Sequence, residues 1–323
     1  MKLATLRGAG PDGRLVVVSR DGVRCLPADR VAPTLQQALE NWNSVLGPLQ
    51  QLSEALEAGQ GEALDVSLLA APLPRAWQWL DASAFSTHGA LMQKAFNLPP
   101  VETNPPLMYQ GMSHQFLGPH DDVPLPSEAD GIDFEGEFGV ITDAVPMGVS
   151  AKEAAGHIKL IVQINDWSLR VIAPAEMKTG FGWVRAKPAC SAAPFAVTPE
   201  ELGPAWRDGR VCLDLRVDWN GRRFGAANGS AMDFGFHELV AHAAYSRSLP
   251  AGTIIGSGTV SNENCREVGS SCIAERRGIE LIDLGAPKTS FMRFGDRVRM
   301  EAEPVADCSP FGAIEQRVVA ARD

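Results

Sequence analysis

The stretch that most constrains this chain runs from residue 132 to residue 140 and reads IDFEGEFGV. Apolar and acidic residues alternate along it, which is typical of a β-strand with one buried face. Asp133, Glu135 and Glu137 would then project from one face, about 6.5–7 Å apart along the strand. Three carboxylates in a row repel one another unless a cation lies over them, and a divalent ion that prefers oxygen ligands meets this need. The alternative is an edge strand with a solvated acidic face.

The composition restricts what the chain can bind. Its 323 residues suffice for one large domain, or for a small domain and a large one. Hydrophobic residues make up 45% and charged residues 21%, as in ordinary globular proteins. The formal net charge of −10 argues against a nucleic-acid partner, because phosphate binding needs a basic surface.

The sequence also bears on location in the cell. We find no apolar run long enough for a signal peptide or for a membrane span. The six cysteines are scattered and never form C-x-x-C, so we expect reduced thiols in a chain without an export signal. The prediction is a cytoplasmic protein without a membrane partner.

Predicted strands outnumber predicted helices and show no regular βαβ alternation, which favours an α+β fold over a doubly wound sheet. Residues 2–6 and 14–19 read as strands, and residues 34–58 as a helix that Gly47-Pro48 is expected to break. Prolines at positions 72 and 74 stop regular structure. We therefore predict a small N-terminal α+β cap domain over residues 1–71 and a catalytic domain over residues 72–323.

A glycine pattern between the first two strands is a false signal. Residues 8–13 read GAGPDG and match the G-x-G-x-x-G pattern of dinucleotide sites. That pattern binds phosphate only where it opens a helix. Here Pro11-Asp12-Gly13 is typical of a turn, and a predicted strand follows. We therefore expect no saturable binding of NAD or ATP.

Asp166 is the next candidate after the acidic strand. It ends an apolar strand predicted over residues 158–166, where a buried carboxylate is costly unless it is paired or bound to a metal. It is a candidate ligand beside Glu135 and Glu137, although a helix or turn cap explains it equally well. Six further polar residues are ordinary surface, loop or packing residues when each is taken alone. They are Asp81, His88, Tyr109, Arg170, Lys187 and Thr259.

Taken together and in order, these residues resemble the fumarylacetoacetate hydrolase family. The motifs are Asp81 with His88, Glu135-Gly136-Glu137, Asn165-Asp166-Trp167-Ser168-x-Arg170, Lys187, and Gly256-Ser257-Gly258-Thr259. The resemblance covers the chain from residue 72 onwards, and Tyr109-Gln110-Gly111 with the opening strands is similar to bacterial fumarylacetoacetases. It implies a mixed β-sandwich or β-roll of this family's type, with a small N-terminal domain, and a homodimer.

The resemblance also implies a role for each residue. A divalent ion, usually magnesium and sometimes calcium or manganese, would be held by four carboxylates. These are Asp81, Glu135, Glu137 and Asp166. His88 would be the general base that activates water. Lys187 and Arg170 would be the cations that help to hold the metal site and to stabilise developing negative charge. Tyr109 and Thr259 would contact the substrate.

The sequence departs from the family's pattern in three places. Ser83 stands where a substrate-binding tyrosine is expected, and Ala173 where a glutamine would contact the substrate. Cys190-Ser191 replaces a stretch that often carries a threonine associated with the metal. The metal-binding set is therefore complete, whereas the substrate-contacting set is altered. The role of Glu275, in a segment where some members place a glutamate that orients the histidine, is left open.

The activity implied is metal-dependent hydrolysis of a carbon–carbon bond in a fumarylacetoacetate-like diketo acid. The products would be fumarate and acetoacetate, as in aromatic amino-acid catabolism. The same scaffold resembles acylpyruvate hydrolases, oxaloacetate decarboxylases, and hydratases or isomerases of aromatic-ring-cleavage products. A non-catalytic protein that binds a metal or a carboxylate is the alternative outside the enzymes.

Overall fold

Two β-sheets with helices around them organise the protein in a computed structural model that describes residues 1–8, 10–97 and 106–321. In these ranges the first ten strands are β1 (Lys2–Leu6), β2 (Arg14–Val18), β3 (Arg24–Pro27), β4 (Glu62–Ala63), β5 (Gln78–Ala82), β6 (Met108–Gly111), β7 (Val123–Leu125), β8 (Ile132–Asp133), β9 (Gly136–Thr142) and β10 (Ile158–Asn165). The other strands are β11 (Ser168–Leu169), β12 (Ser191–Ala192), β13 (Ala196–Val197), β14 (Trp206–Arg207), β15 (Arg210–Val211), β16 (Asp214–Trp219), β17 (Arg222–Asn228), β18 (Thr253–Gly256), β19 (Arg297–Ala302) and β20 (Ile314–Ala320).

The α-helices of the described residues are mostly short. They are α1 (Leu35–Glu40), α2 (Trp42–Glu57), α3 (Ser86–Phe96), α4 (Ala151–Ala154), α5 (Ala173–Met177), α6 (Pro199–Leu202), α7 (Phe236–Ala243), α8 (Cys265–Val268) and α9 (Ile273–Leu284). None of them is long and apolar enough to cross a membrane.

The main sheet has the strand order β4-β3-β2-β1-β13-β10-β9-β18-β5-β6, with β12 also paired to β10. A second sheet has the order β17-β16-β19-β20-β7. Most neighbours are antiparallel, and β5 with β18 is a parallel pair in the main sheet. This mixed arrangement confirms the predicted α+β class. The N-terminal strands continue the main sheet through the pairing of β1 with β13, and the domain division after residue 71 stays a prediction.

The main sheet carries a different layer on each face. On one face, Leu35 of α1 shares a buried cluster with Ile141 of β9 and Leu160 of β10. On the other face, Phe138 of β9 shares a cluster with Val217 of β16 in the second sheet. Because successive side chains of a strand point to opposite faces, β9 contributes to both layers. A strand buried on both sides leaves its polar side chains no access to bulk water.

Two local predictions from the N-terminal sequence have different outcomes. The glycine segment joins β1 and β2 of an antiparallel hairpin, and a strand rather than a helix follows it, so the reading as a turn is confirmed. The predicted helix break at Gly47-Pro48 is wrong, because Pro48 lies inside α2. The break falls at Asn41, which has non-helical dihedral angles (φ −124°, ψ 26°) and donates from its side-chain amide to the Gln37 carbonyl at 3.0 Å.

The acidic segment is also not one continuous strand. It divides into β8 and β9, with Phe134 and Glu135 between them. The Glu135 amide donates to the side chain of Asn165 at 2.9 Å, and the Gly136 amide donates to the Ser271 carbonyl at 2.9 Å. These bonds replace part of a regular strand ladder. All nine residues are buried, so no acidic face meets solvent.

Candidate active site

Three buried carboxylates meet at the ends of the central strands. Asp81 stands on β5, Glu137 near the start of β9, and Asp166 directly after β10. One oxygen of each lies within 4.8 Å of the others, and the residues are 6%, 0% and 0% exposed, respectively. The structure thus brings together three of the four predicted metal ligands.

The close approach of these strands requires a glycine. Gly256 of β18 pairs with Asp81 on one side and with Gly139 of β9 on the other. A Cβ atom at Gly256 would lie 2.4 Å from Oδ1 of Asp81, so a larger residue would displace this carboxylate. Two residues on, the Gly258 amide donates to the same oxygen at 3.1 Å. The glycine loop therefore positions Asp81.

The three carboxylates fit a divalent ion. Both oxygens of Glu137 are buried, and neither has a hydrogen-bond partner in the described part of the chain. Burial, reinforced by the charges of Asp81 and Asp166, raises the pKa of Glu137 well above its usual range. Burial, with the charge of Asp166, likewise raises the pKa of Asp81. Buried carboxylates without partners are costly, and a cation with oxygen ligands removes that cost.

Glu135, the fourth predicted ligand, lies in a different environment. Its Oε1 accepts from Ser168 Oγ at 2.5 Å and from Lys187 Nζ at 2.6 Å, and it lies 3.2 Å from Arg170 Nη2. Its other oxygen accepts from the hydroxyl of Thr259. Although burial favours the neutral acid, the charges of Arg170 and Lys187 hold the pKa of Glu135 below its usual range. This carboxylate is already neutralised by the protein itself.

Lys187 joins Glu135 to the carboxylate trio. Its Nζ donates at 2.5 Å to Oδ2 of Asp166, which also accepts from the hydroxyl of Tyr109 at 2.7 Å. Oδ1 of Asp166 accepts from Sγ of Cys190 at 2.9 Å. Burial would lower the pKa of Lys187, but the charges of Asp166 and Glu135 raise it above its usual range, so the amine stays a cation.

His88 lies on α3 and faces a second buried acid. Its Nδ1 is 3.6 Å from Oε1 of Glu275, a 0% exposed residue in the first turn of α9. The same Glu275 oxygen accepts from the hydroxyl of Ser261. Thr259, two residues before Ser261, donates to Glu135. One loop therefore connects the carboxylates of Glu135 and Glu275. The structure thus places Glu275, whose role the sequence left open, next to His88, at a separation too long for a hydrogen bond.

Asp133 does not face the metal trio. Its oxygens accept from the amides of Ile273 and Ala274 at 2.7 and 2.9 Å, and from Nε of Arg170 at 2.8 Å. Sequence reasoning gave this residue no separate role, quoted Ser168 only as part of a motif, and did not consider Ser261. Serines next to strands are common, so nothing in their spacing could have shown that they bond to Glu135 and Glu275.

Two protein-family models together match nearly the whole chain. Residues 78–319 match the family model described as fumarylacetoacetate (FAA) hydrolase C-terminal. Residues 1–75 match the model described as fumarylacetoacetase N-terminal domain 2.

Curated relatives match over part of their length. A 2,4-didehydro-3-deoxy-L-rhamnonate hydrolase from Sphingomonas sp. (strain SKA58) is 29% identical over 163 residues, which are 50% of this chain and 54% of that protein. A putative hydrolase from Burkholderia lata is 26% identical over 157 residues, or 48% of this chain and 53% of that one. The chain thus spans about half the length of these relatives, whose names do not identify them as fumarylacetoacetases.

Solved structures with the same fold cover the entire chain. Maleylpyruvate hydrolase from Sphingobium sp. SYK-6, in complex with manganese(II) ion and pyruvate, matches with a TM-score of 0.68 at 16% identity. A putative HpcE protein from Mycobacterium smegmatis matches with a TM-score of 0.69 at 20% identity. Both matches cover 100% of this chain and of the other chain, and at such identities they show the fold alone. With a family model matched over most of its residues, the chain belongs to the fumarylacetoacetate hydrolase family.

Proposed function

We propose that this protein is a divalent-metal-dependent hydrolase that cleaves a carbon–carbon bond in a fumarylacetoacetate-like diketo acid, giving fumarate and acetoacetate. One observation carries the proposal: a trio of buried carboxylates, of which only Asp166 has a salt bridge among the described residues, lies beside a second group of acids that protein cations already neutralise. The first group suits a metal ion, and the second brings positive charge next to it.

Asp81, Glu137 and Asp166 would hold the ion, for which we propose magnesium, and the place of Glu135 among the ligands stays a prediction. When bound, a divalent ion supplies a Lewis acid that polarises the two oxygens of a 1,3-diketone. Manganese is the ion named for the maleylpyruvate hydrolase structure. A titration with each ion distinguishes the two.

Lys187 and Arg170 reduce the negative charge of the site. Without them, five buried acids would repel an anionic substrate before it reached the reacting groups. They are Asp81, Asp133, Glu135, Glu137 and Asp166. Both cations lie beside Glu135, from where they can stabilise negative charge that develops during cleavage without a change in protonation.

His88 is the general base of the proposal. Nδ1 lies 3.6 Å from Glu275, beyond hydrogen-bond distance, but the nearby carboxylate favours a proton on that nitrogen, which leaves the other ring nitrogen to accept a proton from water. The oxygen of that water adds to the carbonyl carbon, and the carbon–carbon bond breaks. The electron pair passes to the departing carbon, which takes the proton from the imidazolium.

The test compares two histidine substitutions. We expect His88→Ala to lower kcat by roughly 10²–10⁴-fold, because a general base is lost, and to leave the affinity for magnesium unchanged. His157→Ala is the matched control, since His157 is a partly buried histidine outside the site, paired with Asp143 at 2.6 Å. Its kcat should stay at the wild-type value. A His88→Ala protein that turns over at the native rate would remove His88 from the mechanism.

Product analysis separates this activity from the others of the scaffold. The reaction is followed by the loss of the diketone absorbance, with magnesium and with a chelator. A hydrolase gives two acids, a decarboxylase releases carbon dioxide, and an isomerase gives one product of unchanged mass. Absence of any product from all the diketo acids tested would favour a binding protein. The predicted homodimer is tested separately by light scattering.

A further inference from the structure

We propose that Asp133 is a positioning residue that fixes the His88–Glu275 pair relative to the cations of the metal site. The inference rests on the proposed function for its kinetic consequences. Its structural part is that the fully buried carboxylate of Asp133 contacts two separate parts of the fold. Asp133 reaches the first turn of α9 with both oxygens and Arg170 with one of them.

The contact with α9 fixes the direction of Glu275. Asp133 accepts from the first two amides of the helix, those of Ile273 and Ala274, and Glu275 is the next residue. The residue that caps the helix, Cys272, offers only a sulfur atom, 3.3 Å from the Glu275 amide. Sulfur is a weak acceptor, so the strong acceptor for this helix end is Asp133. Its negative charge also suits the positive end of the helix dipole.

The contact with Arg170 connects the same carboxylate to the metal site. The guanidinium donates from Nε to Asp133 at 2.8 Å and places Nη2 3.2 Å from Glu135. The strand pairing of Asp133 with Ser168 places these groups on adjoining backbone, because Ser168 precedes Arg170 by two residues. Asp133 therefore belongs to both halves of the site, the half that carries the proposed base and the half that carries the cations.

This arrangement predicts a specific kinetic defect. If Asp133 is changed, the first turn of α9 loses its acceptor, and Glu275 can move away from His88. A displacement of about 1 Å at a catalytic group can cost on the order of 10²-fold in rate. Substrate affinity should change little, because Asp133 does not contact the carboxylate trio. A residue needed only for folding would instead lower the stability and leave kcat intact.

The experiment compares Asp133→Asn with Glu280→Gln, in each case in the full chain with magnesium. Glu280 is a matched control on the same helix, because its carboxylate accepts from the amides of Lys288 and Thr289 outside the site. We expect Asp133→Asn to lower kcat by about 10–100-fold, with KM within about threefold of wild type. Glu280→Gln should keep the wild-type kcat even if its Tm falls.

A double variant tests whether Asp133 acts through Glu275. If Asp133 acts through Glu275, kcat of the Asp133→Asn/Glu275→Gln protein should be no lower than that of the slower single variant. Independent effects would multiply instead. A multiplied loss, or an Asp133→Asn protein with the wild-type kcat, would overturn the proposal.

A spectroscopic measurement tests whether Asp133 positions the His88–Glu275 pair, without measuring catalysis. In Asp133→Asn, the ring-nitrogen resonances of His88 should move towards the positions that they have in Glu275→Gln. The resonances are assigned to His88 because they disappear in His88→Ala. Unchanged resonances would overturn the inference. If wild-type protein cleaved no diketo acid, the proposed function would fail, and this measurement would still decide the role of Asp133. Should the asparagine variant not fold, Asp133→Thr suits a strand and is judged by the same resonances.

Discussion

Glu135 and Glu137 are two residues apart and both buried, but their surroundings are opposite. Glu135 accepts from Ser168, Lys187 and Thr259, and Arg170 lies beside it. Glu137 has no hydrogen-bond partner for either oxygen within the described ranges. The pKa of Glu135 is lowered, because the effect of the neighbouring cations exceeds the cost of burial, whereas burial and like charges raise the pKa of Glu137.

The difference shows that one short segment supplies carboxylates for two purposes. A carboxylate with protein cations around it contributes to the stability of the fold only while those cations stay paired. A carboxylate without partners destabilises the empty site and gains the most when an ion binds. The two residues should therefore respond in opposite ways to the same substitution.

The largest effect is expected on metal binding. Glu137→Gln removes a charged oxygen that has no hydrogen-bond partner in the described part of the chain, so the Kd for magnesium should rise at least on the order of 100-fold, with loss of turnover. Calorimetric titration of the variant and the wild type measures this change. The control is Glu153→Gln, which alters a surface glutamate in the cap of α4. Wild-type magnesium affinity in Glu137→Gln would contradict the assignment of this residue to the metal.

The second prediction concerns the stability of the metal-free protein. Glu135→Gln removes the partner that Lys187 and Arg170 share, while Lys187 keeps Asp166 and Arg170 keeps Asp133, so the free energy of unfolding should fall by about 1–3 kcal/mol. Glu137→Gln should not lower it, since the substitution removes a buried charge that forms no salt bridge or hydrogen bond with the described residues. Chemical denaturation with a chelator present compares the two. Equal losses in both variants would show that the two environments do not differ in energy.

The smallest effect is expected on the pH dependence of stability. The pKa of Glu137 is raised in the folded protein, so the folded chain binds this proton more tightly than the unfolded chain, where the ordinary value is 4.5. The free energy of unfolding without metal should therefore fall as pH rises above about 4.5, by up to about 1.4 kcal/mol per unit for this residue. In Glu137→Gln the decline should be shallower, with Asp81 contributing the remainder.

Glu135 should act in a different pH window. Its pKa is lowered in the folded protein, so its contribution is complete above about 4.5 and is lost only as pH falls below that value. Denaturation at a series of pH values separates the two residues. A decline above pH 4.5 that is the same in wild type and Glu137→Gln would mean that Glu137 gains no proton on folding.

The sequence singled out the carboxylates but not which of them pair with the cations of the protein. The family resemblance, carried by the order of the motifs, implied Asp81, Glu137 and Asp166 together with Glu135, and the excess of predicted strands without a βαβ alternation was enough for the α+β class. Which acid meets a cation depends on residues distant in the chain, such as Lys187, which lies 52 positions after Glu135. A strand pattern of period two carries no information about such contacts.

Local breaks were harder to predict for the same reason. The interruption between β8 and β9 follows from bonds to Asn165 and Ser271, which only the folded chain brings near. Pro48 looked like a helix breaker, yet it lies inside α2, whose residues Trp42, Val45 and Leu49 are buried. Tertiary packing outweighed a local preference there. Glu275 was uncertain by spacing, and its contact with His88 also depends on tertiary structure.

The continuation of the main sheet into the N-terminal strands has a consequence for synthesis of the protein. The hairpin of β1 and β2 is made before β13, the strand that pairs with the free side of β1, because Val197 of β13 comes about 195 residues after Lys2. At roughly 5–20 residues per second, that partner leaves the ribosome about 10–40 s later. During this interval Leu3 and Val17, buried in the finished protein, must be shielded by α1 and α2 or by a chaperone.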